Sequence, residues 1–298
     1  MLINEETIAS SFRGFQALAE DAVAAAPRQA ERITMEVNST TSQESYHWLG
    51  SWPMMREWIG PRFVHKLKAH GYTVANKKFE STIEIDRDHF SDDKIGLYRP
   101  MVAQLGHAAA QHTEEMVFNL LSNGFTELCY DGQPFFDTDH PIEDAATGEV
   151  SLISNFGGGS GTAWYLFDTR QPVRPLMLQW RERLEFTALN RPDDPEVFKN
   201  DKYLFGARAR LNVGFGLWQL AYASKETLSA TNYAAARAAM MGFRAAGGRK
   251  LGITPNLLVV PSTLESAGRK LLNSELGAGG ESNEWKGTAE LLVTPSLS

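Results

Sequence analysis

The alternation of hydrophobic and polar positions predicts a helix and then a strand at the beginning of the chain. Between residues 5 and 26, apolar side chains including Phe12 and Phe15 recur at the spacing of one helical face, and Pro27 ends the pattern. From residue 31 to residue 37, apolar and polar side chains alternate with a period of two, which is typical of a half-buried strand. Each element therefore has an apolar face that requires a partner.

The longest predicted helix begins before the middle of the chain. Apolar residues recur every three or four positions from Tyr98 to Leu120, and Asn123-Gly124 supplies a stop signal. Asp92 and Asp93 precede this pattern, where carboxylates favour a helix N-terminus, and Pro100 falls in the opening turns, where proline is best tolerated. The pattern predicts a helix of about 25 to 30 residues.

A hairpin is predicted just ahead of this helix. Residues 72–74 and 79–85 have apolar side chains at even spacing, and the polar run 76–78 between them is typical of a turn. The alternate face is strongly polar, so a hairpin of this kind would be only marginally stable in isolation. We therefore expect it to project from the body and to contact another surface.

The second half of the chain mixes extended segments with two helices. Residues 163–186 and 203–222 are predicted to be largely extended, and glycines in the second segment indicate bulges or close backbone approach. An alanine-rich helix is predicted at 232–246, followed by an apolar strand at 257–260 and a helix that continues to about Asn273. Together with the first half, this order indicates an α+β protein.

The segment from Tyr46 to Arg62 combines three tryptophans with two glycines and two prolines. Because each large aromatic side chain buries roughly 150–250 Å², Trp48, Trp52 and Trp58 must lie against another surface. Glycine and proline prevent a long regular helix here, so we expect an extended arm. The surface that it covers is predicted to belong to another copy of the chain, the alternative being an ordinary core within one subunit.

Composition narrows the classes of function. The 298 residues are 43% hydrophobic and 22% charged, as in soluble globular proteins, and a formal charge of −7 argues against a dedicated nucleic-acid reader. Cys129 has no second cysteine for a disulfide, which favours a reducing compartment. The first residues lack the pattern of a secretory signal, and no apolar run approaches the roughly 18 residues of a membrane span. We expect a protein that is made in the cytosol and stays there.

Asp137, Asp139 and His140 are the strongest candidates for metal binding or acid–base catalysis, because two carboxylates and an imidazole lie within four residues. A hydrolase or metal enzyme centred on them is one alternative. The group directly precedes Pro141, however, where a turn capped by aspartate side chains is expected. We therefore predict no catalytic, metal-binding or cofactor-binding residues.

Two further residues are interpreted as structural. His112 lies five positions after His107 on the long helix, whereas a helical zinc pair requires a spacing of four, so His112 is predicted to be a core or interface residue. Cys129 lies between Leu128 and Tyr130, an apolar setting that favours a buried and inert thiol.

The chain resembles the Mu-type phage major head subunit family, called gpT-like, over most of its length. The strings that carry the resemblance are Tyr46–Arg62, Asp92–Tyr98, Cys129–Phe136, Gly214–Tyr222 and Leu257–Pro261. The resemblance implies the tailed-phage capsid fold first described for Hong Kong 97. That α+β fold has an N-terminal arm, an extended hairpin loop, a long spine helix, a peripheral domain and an axial domain.

The elements predicted from the pattern can be placed on this fold in sequence order. The resulting division has five parts: an N-terminal helix and arm at 1–62, an extended hairpin loop at 63–93, a spine helix at 94–124, β-rich peripheral-domain segments at 125–228, and an axial-type α/β domain at 229–298.

The resemblance implies a structural, non-enzymatic function as the major head subunit of a Mu-like phage or prophage. Such a subunit assembles in the bacterial host cytoplasm into an icosahedral shell and remains in the virion. The implied partners are other copies in hexamers and pentamers, scaffold, portal and decoration proteins, and enclosed double-stranded DNA that is not bound sequence-specifically. An encapsulin-like compartment that houses cargo enzymes is an alternative with the same fold.

Two groups of residues are predicted to contact neighbouring subunits, because modest contacts repeated around closed symmetry add up to a stable shell. The group on the arm consists of Trp48, Trp52, Arg56, Glu57, Trp58 and Arg62. The group on the hairpin loop consists of Lys77, Lys78 and Phe79.

Overall fold

The structure is a computed structural model that describes residues 5–50, 52, 71–92, 94–143, 149–245, 249–277 and 279–297. The helices within these ranges are α1 (Glu5–Ala25), α2 (Arg87–Ser91), α3 (Arg99–Ser122), α4 (Pro195–Asn200), α5 (Ala230–Gly242) and α6 (Glu265–Leu272). The longest, α3, has 24 residues and therefore spans about 36 Å. Across the described ranges, none of the helices combines the length and hydrophobicity that crossing a bilayer requires.

The strands of the described residues form two larger sheets and two small ones. In chain order they are β1 (Thr34–Asn38), β2 (Gln43–Ser45), β3 (Thr73–Ala75), β4 (Lys77–Asp86), β5 (His140–Glu143), β6 (Val150–Ile153), β7 (Phe156–Gly159), β8 (Trp164–Phe167), β9 (Leu176–Leu189), β10 (Lys202–Phe215), β11 (Ala221–Lys225), β12 (Leu257–Pro261) and β13 (Glu290–Thr294). The larger sheets have the orders β1-β9-β10-β4 and β13-β12-β8-β11-β7. The small sheets are the pairs β2-β3 and β5-β6.

Helices α1 and α3 pack on each other and on the four-stranded sheet. Side chains of a strand alternate between its two faces, and on β10 the face toward the helices buries Tyr203 and Phe205 beside Phe12 of α1. The close approach of the helices requires a glycine at position 106, since a Cβ there would lie 2.3 Å from the carbonyl oxygen of Ala19. Much of the apolar stripe of each helix is thereby buried, including Phe12 and Phe15 of α1 and Val102 and Leu105 of α3.

The prediction of a hairpin at residues 63–93 is wrong, because its two strands do not pair with each other. Strand β3 pairs with β2, whereas β4 pairs antiparallel with β10, so the two predicted arms belong to different sheets. The apolar side chains of β4 lie beside residues of the neighbouring strand β10: Ile85 is opposite Tyr203, and Phe79 is opposite Ala209. Asn76, expected in the turn, instead bonds its backbone N–H to the carbonyl oxygen of Ser42 at 2.9 Å.

The pairing of β2 with β3 instead joins the two ends of the segment between them. In the β2–β3 ladder, Ser45 lies opposite Thr73, and the backbone N–H of Tyr46 donates to the carbonyl oxygen of Tyr72 at 2.9 Å. The two ends of residues 46–72 are therefore held side by side, and we call this stretch the loop 46–72. It contains the tryptophan-rich segment.

The predicted boundary at residues 228/229 does not separate two sheets. Strand β12, which was assigned to an axial unit, lies between β13 and β8 in the five-stranded sheet. Every residue of β12 is buried, as expected of a strand with neighbours on both sides. Helix α5 contacts β11, and α6 contacts β12 and β13, so the regions 125–228 and 229–298 share one core.

Candidate assembly surfaces and a buried polar cluster

The first residues of the loop 46–72 are anchored to their own subunit. Tyr46 is buried, and its hydroxyl donates a hydrogen bond to the side-chain carbonyl oxygen of Gln179. Burial raises the pKa of Tyr46 to about 12, so the hydroxyl remains a donor at neutral pH. Trp48 and Trp52 are half-buried against the main core. The other predicted arm residues lie outside the described residues: Arg56, Glu57, Trp58 and Arg62.

The loop 46–72 differs in charge from the rest of the protein. Its charged residues are Arg56, Arg62, Lys66, Lys68 and Glu57. The loop therefore has a formal charge of +3, and the remainder of the chain carries −10, because the total is −7. A basic loop on an acidic body is attracted to the body of another copy as well as to its own.

An open groove of about 480 Å³ lies between α3 and the four-stranded sheet, and we call it the α3 groove. Its apolar lining includes three successive alanines of α3, at 108–110, together with Phe79 and Leu178 of the sheet. The carboxylates that line it are Glu31, Glu36, Glu80 and Glu114.

Two of these carboxylates are already neutralised by ion pairs. Glu31 pairs with Arg28 at 3.1 Å, and Glu36 pairs with Arg183 at 2.7 Å. Among the described residues, Glu80 and Glu114 have no ion pair with a basic side chain. Glu114 instead accepts the backbone N–H of residue 30 through both oxygens, at 2.9 and 3.1 Å. Burial raises its pKa, although those hydrogen bonds oppose the shift.

Lys77, Lys78 and Phe79 lie in β4 and not at a hairpin tip. Both lysines are exposed, while Phe79 is half-buried and packs against the ring of His112 on α3, with the ring centroids 4.4 Å apart. Strand β4 is an edge of its sheet, where lysines discourage indiscriminate pairing with other strands. The interpretation of His112 as a core or interface residue agrees with this contact.

The sequence candidates Asp137, Asp139 and His140 do not come together. Asp137 accepts the backbone N–H of Thr138 at 2.6 Å, and Asp139 is exposed. His140 is fully buried. A substrate therefore has no path to its ring, and an enzyme site built on these three residues finds no support in their geometry.

His140 instead belongs to a buried cluster that includes Asp131, nine residues earlier in the chain. Its Nδ1 lies 2.7 Å from Oδ2 of Asp131, and Oδ1 of the same carboxylate is 3.1 Å from Sγ of Cys129. On the other side, Nε2 lies 3.2 Å from Oδ1 of Asn155. The imidazole stacks on Trp218 with centroids 4.1 Å apart and an interplanar angle of 11°.

The charges within this cluster follow from burial and hydrogen bonding. Burial raises the pKa of Cys129 far above its usual range, so the thiol stays protonated. Burial alone would also raise the pKa of Asp131, but the hydrogen bond and charge of His140 together with other donors outweigh it and hold that pKa below its ordinary value. Asp131 is therefore a carboxylate in the folded protein.

The three side chains do not fit a metal ion in this arrangement. Their donor atoms lie within 4.8 Å of one another. Zinc holds nitrogen and oxygen ligands at about 2.0–2.1 Å, which places tetrahedral ligands about 3.3 Å apart. The 2.7 Å between Nδ1 of His140 and Oδ2 of Asp131 is instead a hydrogen-bond distance.

Sequence reasoning missed the partners of His140. No motif links Asp131 to a histidine nine positions later, and none links either residue to Asn155 or Trp218. Such contacts depend on the tertiary packing of the core, for which a single sequence carries no spacing rule. The available signal was a histidine that follows two phenylalanines and directly precedes Pro141.

Comparison with known proteins identifies the family. The model of the Mu-like prophage major head subunit gpT matches residues 8–297. The major capsid protein of Escherichia phage Mu is 42% identical over 293 residues, which cover 96% of this chain and 95% of that protein.

Solved structures agree with this assignment. A subunit from the procapsid of bacteriophage JBD30 superimposes with a TM-score of 0.88 at 41% identity, covering 99% of this chain and 100% of that one. A subunit from the JBD30 capsid decorated with minor capsid protein trimers has a TM-score of 0.75 at 32% identity, and 93% of each chain is covered.

These relatives confirm the α+β capsid fold expected from the sequence and favour neither the enzyme nor the cargo-compartment alternative. They also make the structural role of the family plain, since the related proteins are subunits of phage heads. The chain belongs to the Mu-like prophage major head subunit family, whose members are the major capsid proteins of Mu-like phages and prophages.

Proposed function

We propose that many copies of this chain assemble as hexamers and pentamers into an icosahedral shell that encloses double-stranded DNA. The proposal rests on the relation to procapsid and capsid subunits over nearly the whole chain. Closed symmetry allows each contact between subunits to be repeated around the shell. The shell forms in the host cytoplasm and becomes part of the virion, and the subunit performs no catalytic step and uses no cofactor.

The loop 46–72 is the part of the subunit that contacts a neighbour. Its beginning is fixed on its own core by Trp48 and Trp52. Beyond that anchor the sequence supplies Arg56, Glu57 and Trp58 followed by Arg62, a basic and aromatic composition suited to an acidic, partly apolar surface. The two tryptophans at the anchor therefore position the interface, and the later residues form it.

The α3 groove of the adjacent subunit is the surface that receives the loop. Its apolar lining matches the apolar side chains of the loop, such as Trp58 and Ile59. Glu80 and Glu114, which no basic side chain of the described residues neutralises, match the positive charge of the loop. Arg28, Arg183 and Arg208 also line the groove, so the proposed match rests on its apolar lining and on these two carboxylates and not on a strongly negative lining.

Lys77, Lys78 and Phe79 support this contact from the edge of the groove. Phe79 lines the groove and is held by His112, while the two exposed lysines precede it on the same strand. We infer that the lysines meet carboxylates of the neighbouring body and keep the edge strand from pairing elsewhere.

The remaining partners follow from the acidic body and from the relatives. A body with a formal charge of −10 outside the loop lets packaged DNA lie near the wall without tight binding. The related JBD30 capsid carries trimers of a minor capsid protein. We infer that this shell likewise takes decoration proteins, and that scaffold and portal proteins act during its assembly.

Electron microscopy of the purified protein, combined with sedimentation, tests the proposed function. We expect closed shells of one or a few discrete sizes above a threshold concentration, because assembly from repeated weak contacts is cooperative. A compact monomer at every concentration and salt would contradict the proposal. Lysates that yield shells filled with protein cargo and without associated phage proteins would also contradict it.

A further inference from the structure

The two ends of the loop 46–72 are bonded to one buried glutamine of the four-stranded sheet. Gln179 of β9 is fully buried, and its Oε1 accepts the hydroxyl of Tyr46, the first residue of the loop. Its Nε2 donates to the backbone carbonyl oxygen of Val74 at 3.1 Å and to Oδ1 of Asn76 at 2.8 Å, just after the loop ends. One side chain therefore fixes the chain on both sides of the loop.

The orientation of this amide follows from backbone groups that can only accept. The carbonyl oxygen of Val74 requires Nε2 of Gln179 on its side, which leaves Oε1 to face Tyr46. In the same way, the carbonyl oxygen of Thr41 receives Nδ2 of Asn76 at 2.9 Å, so Oδ1 of Asn76 is the atom that faces Gln179. The Tyr46 hydroxyl is consequently a donor, and a flipped Gln179 would oppose two oxygens to its own.

Strand β10 holds the end of the loop in a second place. The hydroxyl of Tyr72, the last residue of the loop, accepts the backbone N–H of Phe215 at 2.7 Å. Gly214 allows this close seating, because a Cβ there would come within 2.7 Å of the Val74 side chain. The chain that follows the loop therefore rests on β9 and β10 together.

Strand β9 carries the base of the loop on one face and the α3 groove on the other. Successive side chains of a strand point to opposite faces, and Leu178 and Trp180, on either side of Gln179, line the groove. Under the proposed function, each subunit thus holds its own loop and receives that of a neighbour on adjacent residues of one central strand.

We propose that Gln179 is the positioning residue of the contact between subunits, because it fixes both ends of the loop 46–72 against the strand that lines the groove. This inference rests on the proposed function of the loop. A segment that is already held in its bound arrangement loses less conformational freedom on association, and the affinity gains by that difference. Freeing the ends of the loop is therefore expected to weaken assembly more than it weakens folding.

The threshold concentration for shells tests this role in a matched pair of variants. Gln179→Met removes the polar contacts and keeps the length of the side chain. Gln219→Met is the control, since Gln219 is likewise buried and its Nε2 lies 2.8 Å from the hydroxyl of Tyr130, which is outside the loop. We expect the threshold to rise about tenfold or more in Gln179→Met and to stay within about twofold of wild type in Gln219→Met.

Denaturant unfolding of the free subunits measures how far each of these variants is destabilised. Thresholds that are equal in the two variants, or that rise only in step with the loss of stability, would overturn the proposal.

Amide hydrogen exchange of the free subunit tests the fixed loop ends without assembly. The backbone N–H of residue 46 donates to the carbonyl oxygen of Tyr72, so its exchange reports whether the two ends stay together. We expect this exchange to accelerate about tenfold in Gln179→Met and about fivefold in Tyr46→Phe, which removes only a hydroxyl and serves if the first variant fails to fold. Tyr130→Phe is the control for Tyr46→Phe and should leave this exchange unchanged.

The two measurements separate this inference from the proposed function. Unchanged exchange in both loop variants would overturn the positioning role even if the wild type forms shells. Absence of shells from the wild type would instead count against the proposed function, and accelerated exchange would then still show that Gln179 holds the loop.

Discussion

The loop 46–72 and the cluster around His140 both concentrate aromatic and charged residues, yet they differ in where their interactions are completed. In the cluster, Asp131, His140 and Asn155 satisfy one another within a few ångströms, with Trp218 stacked above them. Among the residues of the loop that the structure describes, Trp48 and Trp52 contact the core of the same chain, and the charge of the loop is opposite in sign to that of the body.

This difference is what we expect if the cluster completes the subunit and the loop joins the subunit to its neighbours. A buried polar group must find its partners during folding, because leaving it unpaired costs about 1–3 kcal/mol. A loop that ends on another molecule obeys no such requirement within one chain. Similar side chains can therefore serve a core or an interface, and their surroundings decide which role they have.

Replacement of residues 53–70 by a short Gly-Ser linker should produce the largest effect on assembly. The subunit is expected to fold, because β2 and β3 still hold the loop ends and Trp48 and Trp52 remain on the core. Shells should be absent in electron micrographs, while circular dichroism and thermal unfolding of the free subunit stay close to the wild type. Normal particles from this variant would remove the distinction between the two regions.

Asp131→Asn should produce the largest effect on stability. The substitution removes the buried carboxylate that Nδ1 of His140 and Sγ of Cys129 contact, and losing a hydrogen bond to a charged group costs about 1.5–3 kcal/mol. Asp139→Asn, eight residues away and exposed, is the matched control and should change the free energy of unfolding by less than about 0.5 kcal/mol. Denaturant unfolding of unassembled subunits measures both, and equal values would show that the Asp131 carboxylate contributes nothing to the stability of the buried cluster.

Acidification should reduce the contribution of the Asp131 carboxylate to the free energy of unfolding, by a smaller amount than the substitution does. The pKa of Asp131 is lower in the folded protein than in an unfolded chain, so its contribution is fully present above the ordinary carboxyl pKa. The contribution is lost as pH falls through the lowered folded value. The stability difference between wild type and Asp131→Asn should therefore shrink on acidification, and a difference independent of pH would contradict the assignment.

The charges of the loop should have the smallest effect per contact. Exchanging Arg56 and Arg62 for glutamate removes ion pairs worth about 0.2–1 kcal/mol each, which raises the threshold concentration for shells and makes it less sensitive to salt. Arg13→Glu reverses an exposed charge on α1 and is the control. If all these variants assemble at the same threshold, the positive charge of the loop has no role in the contact.

The sequence predicted elements whose signals are local. Helix α3 follows from one apolar stripe with Pro100 in the first turn, and both features are present. The pairing of strands was harder to predict, because a period of two identifies the buried face of β4 but not the strand beside it. The same limit applies to β12, whose apolar run indicated a buried strand without showing that β8 would be its neighbour.

The same distinction between local signals and tertiary contacts applies to the candidate sites. The tryptophan-rich segment was visible because its composition is unusual over seventeen residues, from Tyr46 to Arg62. The contacts of His140 were not visible, because Asp131, Asn155 and Trp218 come from three separate parts of the chain and meet only in the folded core. Composition identifies surfaces that need a partner, whereas tertiary packing decides which buried groups meet.

Cryo-electron microscopy of assembled shells tests the central claim most directly. We expect density for residues 53–70 to cross to the adjacent subunit and to lie in the α3 groove near Glu80, with Trp58 covered. Density that folds back onto the subunit of origin, with the α3 groove open in the shell, would contradict the division between residues that complete the subunit and residues that join it to its neighbours.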